Sequence, residues 1–339
     1  MKKPTYIIVI GASAGGIPAI SSLCAGLPAD LPAAVFVVLH MSALSSAERL
    51  ARIFQRHTDL VCQAAGDGEI IKAGHLYVAQ PNHHLLLGEG VMKLNQGTRE
   101  NKYRPSIDVL FRSAAVAYRS RVIGIILTGM LEDGTSGMYA IKRCGGICIV
   151  QEPDEAQYSD MPQSVLNRLE VDYRLPVADM GSLLAQLAER PVSTAPEVPR
   201  ELAIEAKITE DMTSTIDQLK QIGDKSDFVC PDCGGGLYAV RNDPAHRYRC
   251  YTGHVYTEQL LQDIQGLHLE ESVWVSIRML EERHNLLLLM ADHAGEAGQV
   301  LLANAKKQHA AAIEKHVGQL KLLLSKLTED LLPVTGTDD

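Results

Sequence analysis

The sequence lacks the features expected of a membrane-spanning, nucleic-acid-binding or disulfide-stapled protein. No apolar run approaches the roughly 20 residues that cross a bilayer. With 41 acidic and 32 basic residues, its net charge of −9 gives no electrostatic reason to bind nucleic acid or an anionic membrane. The seven cysteines are odd in number, and three cluster late in the chain. We therefore expect a cytoplasmic protein with a metal site rather than paired disulfides.

Short apolar, β-branched runs alternate with helical patterns over residues 1–190. Continuous apolar runs indicate strands that are buried on both faces, as in a parallel sheet covered by helices. Right-handed crossovers between such strands give a doubly wound arrangement. The sequence therefore predicts an α/β fold with a mostly parallel sheet, whose strands include residues 6–10, 35–39, 75–79, 122–127 and 147–150.

The rest of the chain divides by composition into three segments. Residues 191–226 begin with three closely spaced prolines and have no periodic pattern, which predicts a linker. Residues 227–257 contain clustered cysteines and glycines and are predicted to form a zinc-ribbon-like module. Residues 258–331 are helical in composition. The C-terminal part is therefore predicted to be a small module followed by a helical tail.

The helical tail has an apolar stripe at Val273, Ile277, Leu280 and Leu287. Apolar residues at this spacing share one face of a helix. Such a stripe favours the seam of a hairpin between two helices of the same chain. A helix-mediated partner or a dimer is the alternative interpretation.

Three motifs with potential chemistry follow predicted strands. Ser13 lies in a glycine-rich turn after the first strand, His40 follows the second, and Asp133 lies in the loop after a later strand. The carboxyl ends of parallel strands share one edge of the sheet. A serine nucleophile needs a base and a group that orients the base. We therefore predict that Ser13, His40 and Asp133 form a catalytic triad, with the amides of Ala14 and Met130 as oxyanion donors.

Two other functions remain open on this pattern. A glycine-rich turn at a helix start also suits a nucleotide phosphate, so a nucleotide-dependent oxidoreductase is one rival. That class needs an acid at the end of the second strand, where this chain has His40. The other rival is a non-catalytic signalling adaptor of the same fold, which the complete set Ser13, His40 and Asp133 argues against. The residues favour a serine esterase that needs no cofactor for catalysis.

Several segments together carry a more specific pattern. They are IGASAGG (10–16), LHM (39–41), YVAQPNHH (77–84), RPSID (104–108) and LTGMLEDG (127–134), with Ala156, Met161 and Pro162. This set resembles the catalytic domain of the CheB-type protein-glutamate methylesterases, which act on chemotaxis receptors. The similarity extends over about residues 5–188. Ala14 and Leu131 depart from it, because the family commonly has threonine and glycine there.

The resemblance implies a function and a site. The fold is the doubly wound α/β domain of that family, and Ser13, His40 and Asp133 take the triad roles. The substrate is a glutamyl methyl ester on a methylated receptor or another signalling protein, and the hydrolase releases methanol; some members also deamidate glutamine. The usual members begin with a receiver domain, whereas this chain begins with the catalytic strand. We therefore expect no control by an attached receiver.

A metal site is predicted separately. Cys230, Cys233, Cys250 and His254 follow the pattern C-x₂-C-x₁₆-C-x₃-H. Three thiolates and an imidazole complete the tetrahedral shell of a structural zinc ion, which leaves no open position for catalysis. The alternative is a small hairpin with reduced cysteines. We expect the module to depend on its metal for folding and the catalytic domain to be independent of the module.

Overall fold

The chain is described here by a computed structural model that covers residues 3–42 and 44–330. The last residue of the predicted tail, 331, lies outside these ranges. The structure divides into one compact unit that ends at Glu258 and a second that begins at Gln259. The predicted division into a catalytic domain, a linker, a module and a tail stays a prediction.

The first unit is built on a seven-stranded sheet in which every strand pairing is parallel. The strand order is β3-β4-β2-β1-β7-β8-β9, while β5 and β6 form a separate hairpin. The predicted doubly wound α/β fold is confirmed. The strands are β1 (Tyr6–Ala12), β2 (Ala33–Leu39), β3 (Val61–Ala64), β4 (His75–Val78), β5 (His84–Leu87), β6 (Met92–Asn95), β7 (Val122–Ile126), β8 (Ile147–Gln151) and β9 (Tyr173–Leu175).

Helices cover both faces of this sheet, because its central strands are apolar on both sides. In β1, Ile8 and Ile10 join one apolar cluster and Ile7 and Val9 join the other. The alternation follows from the two-residue period of a strand. The first cluster includes residues of α1 (Gly16–Ala25), α2 (Ala47–Phe54) and α6 (Val177–Glu189), and the second includes α3 (Ile107–Tyr118), α4 (Thr135–Arg143) and α5 (Asp160–Arg168).

The position of β1 in the sheet indicates at which edge of the sheet a functional site is expected. This strand pairs with β2 on one side and with β7 on the other, so the chain order reverses between β1 and β7. In open α/β sheets, ligands bind beyond the carboxyl ends of the strands at such a switch point. The loops after β1, β2 and β7 therefore meet where a site is expected.

The segment predicted as a linker contains two helices. After residues 191–199, which have no regular structure, α7 (Arg200–Asp211) packs on α3, and α8 (Ile216–Ile222) follows. The buried face of α7 combines Leu202 and Ile208 with Glu205 and Thr209. Polar residues at buried positions hide the apolar period, so sequence patterning does not reveal this helix.

A four-stranded antiparallel sheet follows α8. Its strands are β10 (Gly223–Val229), β11 (Gly236–Val240), β12 (Tyr248–Cys250) and β13 (Val255–Tyr256). We call residues 223–256 the cysteine module. The module belongs to the same compact unit as the parallel sheet. The expectation that the catalytic domain is independent of the module is therefore not supported by the packing.

The second unit consists of two long helices, α9 (Glu258–Glu296) and α10 (Val300–Asp330). Ile277 of α9 clusters with Val317 and Leu324 of α10, and Val273 and Leu280 pack against this cluster. The hairpin interpretation of the apolar stripe is confirmed at these positions, and the dimer alternative stays a prediction. Within the described ranges, none of the helices combines the length and apolar character that crossing a bilayer requires.

Candidate active site

Ser13 lies in the tight turn between β1 and α1. Its amide donates to the carbonyl of Thr128 after β7, at 3.0 Å, and its carbonyl accepts from the amide of Gly16, also at 3.0 Å. Gly15 has a left-handed φ of 73°, and a Cβ there would lie 2.8 Å from the Gln157 side chain. Only glycine meets both demands. This turn places Ser13 at the edge of the sheet between β1 and β7.

His40 and Asp133 form a buried pair at the same edge. The His40 amide donates to the carbonyl of Ala12 at 3.1 Å, which joins the ends of β1 and β2. His40 Nε2 donates to Asp133 Oδ2 at 2.8 Å. The other ring nitrogen, Nδ1, is buried and has no partner among the described residues. Nδ1 is therefore the nitrogen of His40 that remains available for proton transfer.

The Asp133 carboxylate sits at the N-terminus of α3. Oδ2 also accepts from the amide of Ile107 at 2.7 Å, while Oδ1 accepts from Ser106 Oγ at 3.0 Å and from Asn101 Nδ2 at 3.1 Å. Burial alone would raise the pKa of Asp133, but the bonds from His40 and the Ile107 amide outweigh burial and lower it. An ionised Asp133 can orient the imidazole and stabilise an imidazolium.

A second buried carboxyl group, Asp108, lies beside Asp133. Its Oδ1 accepts from the amides of Gly134 and Gly137, at 3.1 and 2.6 Å, and its Oδ2 accepts from Asn101 Nδ2 at 3.0 Å. Burial, followed by the charge of Asp133, raises the pKa of Asp108. The Asn101 amide thus bridges two carboxyl groups, and Asp108 also fixes the loop that carries Asp133.

Tyr103 stacks on the His40 ring. The two ring centroids are 3.5 Å apart, and the ring planes differ by 6°. Tyr103 ends a tight turn, residues 100–103, which we call the Glu100 turn; its amide donates to the Glu100 carbonyl at 2.9 Å. Sequence reasoning missed Tyr103 and Asn101, because neither lies at a strand end or within the recognised motifs.

The loop between this turn and α3 is supported by a buried histidine, His84. Its Nε2 bonds to the Thr98 carbonyl at 2.9 Å, and its Nδ1 accepts from the Ser106 amide at 3.3 Å. This pattern requires the neutral ring with the proton on Nε2. Burial lowers the pKa of His84, against the opposing charge of Glu100. In the sequence, the motif at residues 104–108 indicated that this loop belongs to the site region.

Ser13 and His40 both line a cleft of about 500 Å³, together with apolar side chains such as Ile17 and Met41. Ala14 lies beside Ser13, and Met130 lies in the loop after β7 with its side chain 48% exposed. Within the part of the chain that the structure describes, neither of their amides donates to a protein acceptor. The predicted oxyanion donors are thus free, and the cleft gives access to Ser13.

The cysteine and histidine cluster has the dimensions of a tetrahedral metal site. The ligand atoms of Cys230, Cys233, Cys250 and His254 all lie within 4.8 Å of one another. The Cys233 and Cys250 sulfurs are 3.7 Å apart, and His254 Nδ1 lies 3.6 Å from the sulfurs of Cys230 and Cys250. Zinc bonded at about 2.3 Å to sulfur and about 2.0 Å to nitrogen requires ligand separations of about 3.5–3.8 Å. The donor set therefore fits zinc.

Comparisons with known proteins agree with the resemblance seen in the motifs. A sequence profile described as CheB methylesterase matches residues 8–184, more than half of the chain. A Leptospira interrogans protein, described as a candidate protein-glutamate methylesterase/protein-glutamine glutaminase, is 39% identical over 53% of this chain and 93% of the relative. A protein-glutamate methylesterase/protein-glutamine glutaminase of Geobacter metallireducens is 37% identical over 51% of this chain and 48% of the relative.

A solved structure extends this similarity to the fold. The crystal structure of the Thermotoga maritima CheB methylesterase catalytic domain matches with a TM-score of 0.52 and 32% sequence identity. The match covers 55% of this chain and 100% of that domain. The cysteine module and the helical tail lie beyond residue 184, outside the family profile.

Proposed function

Because this chain belongs to the CheB methylesterase family, we propose that it hydrolyses glutamyl methyl esters on a methylated chemoreceptor or another signalling protein and releases methanol. The observation that carries the proposal is the buried His40–Asp133 pair: His40 Nδ1 has no hydrogen-bond partner among the described residues, and His40 and Ser13 line the same cleft. Two relatives also have glutaminase in their names, so deamidation of glutamine at the same site is part of the proposal.

The proposed mechanism uses Ser13 as the nucleophile. Its Oγ attacks the ester carbonyl while His40 Nδ1 accepts the hydroxyl proton. The amides of Ala14 and Met130 stabilise the oxyanion, and the ionised Asp133 stabilises the imidazolium. His40 then protonates the departing methoxide, so methanol leaves and a glutamyl ester of Ser13 remains. Water, deprotonated by His40, hydrolyses this intermediate to give the glutamate side chain and free Ser13.

We also propose that Cys230, Cys233, Cys250 and His254 hold one structural zinc ion. The ligand separations support this assignment, and the complete protein shell leaves no position for substrate. The ester chemistry needs no cofactor. The cytoplasm is the proposed location, because none of the seven cysteines is paired in a disulfide and a reducing compartment keeps cysteines unpaired. We expect no nucleic-acid partner at a net charge of −9.

The proposal is tested with a methyl-esterified receptor fragment and the purified full chain. We expect release of methanol, loss of one methylene mass per ester, and labelling of Ser13 by a fluorophosphonate. Ser13→Ala should lower the rate by about 10⁴-fold or more and abolish labelling, with an unchanged fold. Ser22→Ala, on the exposed face of α1, is the matched control. Activity of the Ser13→Ala variant above a few per cent of wild type would exclude Ser13 as the nucleophile.

A further inference from the structure

The Glu100 turn contacts both members of the buried pair. The side chain of Asn101 donates to Asp133, and the ring of Tyr103 covers His40. Asn101 and Lys102 have φ values of 51° and 68°, which residues other than glycine adopt at a cost. A turn with two such residues needs support from its surroundings to keep this geometry.

The cysteine module supplies part of this support. The backbone of Asn101 donates to the carbonyl of Val255 at 2.9 Å, and Glu100 forms a parallel bridge with the same residue. Arg249 Nη1 donates to Glu100 Oε1 at 3.0 Å. Val255 directly follows the proposed ligand His254, and Arg249 directly precedes the proposed ligand Cys250. Val255 and Arg249, the two module residues that contact the turn, are therefore each adjacent in sequence to a proposed metal ligand.

A buried ion network anchors the module beside the turn. Glu100 also binds Arg112 of α3 at 2.9 Å, and Glu205 of α7 binds Arg247 of the module at 2.9 Å. The side chains of Glu100, Arg112, Glu205, Arg247 and Arg249 are all at most 2% exposed. Removing one partner of a buried ion pair strongly destabilises the fold, because the other charge stays buried without a partner. A displaced module would leave such charges unpaired, so the catalytic domain and the module are energetically coupled.

We propose that metal binding by the cysteine module sustains ester hydrolysis, because the metal-folded module holds the Glu100 turn against His40 and Asp133. This inference rests on the proposed methylesterase function. A small module with few buried apolar residues takes much of its folding free energy from the metal. When the metal leaves, Val255 and Arg249 release the turn, and Asn101 and Tyr103 lose their contacts with the pair. Asn101 and Tyr103 are thus positioning residues.

The first experiment removes the metal from the purified full chain. Zinc content, kcat and KM for a glutamyl methyl ester peptide are measured before chelation, after chelation and after zinc is restored. We expect one zinc per chain, a fall in kcat of about tenfold to hundredfold on removal, a KM within about twofold, and recovery with zinc. Cys233→Ser should reproduce the loss without recovery. Cys62→Ser, a free cysteine outside the cluster, is the matched control.

A second variant keeps the inference testable if zinc removal unfolds the whole protein. Asn101→Ala removes the side-chain bonds to Asp133 and Asp108 and leaves the backbone bond to Val255 and the metal ligands in place. We expect full zinc content, a fall in kcat of about tenfold or more, and an unchanged KM. A purely structural role of Asn101 would lower stability without this separation of kcat from KM. Asn167→Ala on the exposed surface of α5 is the control.

The outcomes separate the two proposals. If the zinc-loaded chain neither hydrolyses the ester nor reacts with a fluorophosphonate at Ser13, the proposed function fails. If it does both, and kcat changes by less than about twofold after zinc is removed from a still-folded protein, only the present inference is overturned. An Asn101→Ala variant with wild-type kcat overturns it as well.

Discussion

At the scale of single residues, Asp133 illustrates how many groups can depend on one carboxylate. It accepts hydrogen bonds from the ring of His40, the amide of Ile107 and the side chains of Ser106 and Asn101. These donors saturate both oxygens and lower the pKa of the carboxyl group despite its burial. If an amide replaced this carboxylate, its NH₂ group would face the hydrogen-bond donors that now bind the carboxylate oxygens.

Asp133→Asn should therefore lower kcat far more than it changes KM. The amide keeps the shape but removes the charge that stabilises the imidazolium, and its NH₂ group would face N–H donors. We expect a fall in kcat of about 10³- to 10⁴-fold. Steady-state kinetics with a glutamyl methyl ester peptide measures it, and Glu132→Gln in the same loop serves as control. A fall of less than tenfold would contradict an orienting role for Asp133.

At the scale of elements, α7 connects the parallel sheet to the cysteine module. It packs on α3, and its Glu205 binds Arg247 and Arg112. Burial raises the pKa of Glu205, but the surrounding arginines outweigh burial and lower it, so the carboxylate is ionised in the folded protein. Without that charge, the arginines of the network would be buried with too few partners.

Glu205→Gln should destabilise the first compact unit. Removing one partner of a buried ion pair costs about 3–5 kcal/mol. Glu201→Gln is the matched control, because Glu201 lies on the same helix and its pair with Arg143 is partly exposed; its expected cost is below about 1 kcal/mol. Urea unfolding of the zinc-loaded proteins measures both values. Equal stabilities of the two variants would show that the network contributes little.

At the scale of the whole molecule, acidification should destabilise the fold in two steps. The folded-state pKa of His84 is lowered from 6.5, those of Glu100 and Glu205 from 4.5, and that of Asp133 from 3.8. A group with a lowered folded pKa stabilises fully above its unfolded pKa, and this contribution is lost as pH falls through the folded value. The first loss begins below the unfolded pKa of His84, and the second begins below those of the carboxyl groups.

Urea midpoints measured from about pH 7.5 to about pH 4 test this expectation. Asp108 acts in the opposite direction, since its raised pKa makes its contribution disappear as pH rises through the folded value. We therefore expect a maximum near neutrality and a decline that starts below the unfolded pKa of His84. Asp108→Asn removes this opposing contribution, and a constant midpoint of that variant between about pH 7.5 and about pH 5 would contradict a buried neutral His84.

The features of this protein whose signals are local could be predicted from the sequence alone. The apolar runs predicted the central strands, and the strand-end positions of Ser13, His40 and Asp133 placed these residues at one edge of the sheet. The spacing of four cysteine and histidine residues predicted a metal site. Each of these inferences uses residues that are close in sequence, or a general rule about parallel sheets.

The dependence of these parts on one another is visible only after the chain has folded. Nothing local indicates that Asn101 binds Asp133, that Tyr103 stacks on His40, or that Nδ1 is the free nitrogen of His40. The polar buried face of α7 has no apolar period, and its ion pairs join segments far apart in the chain. Hydrogen bonds and ion pairs between distant segments leave no periodic trace in sequence, because their geometry exists only after the layers have packed.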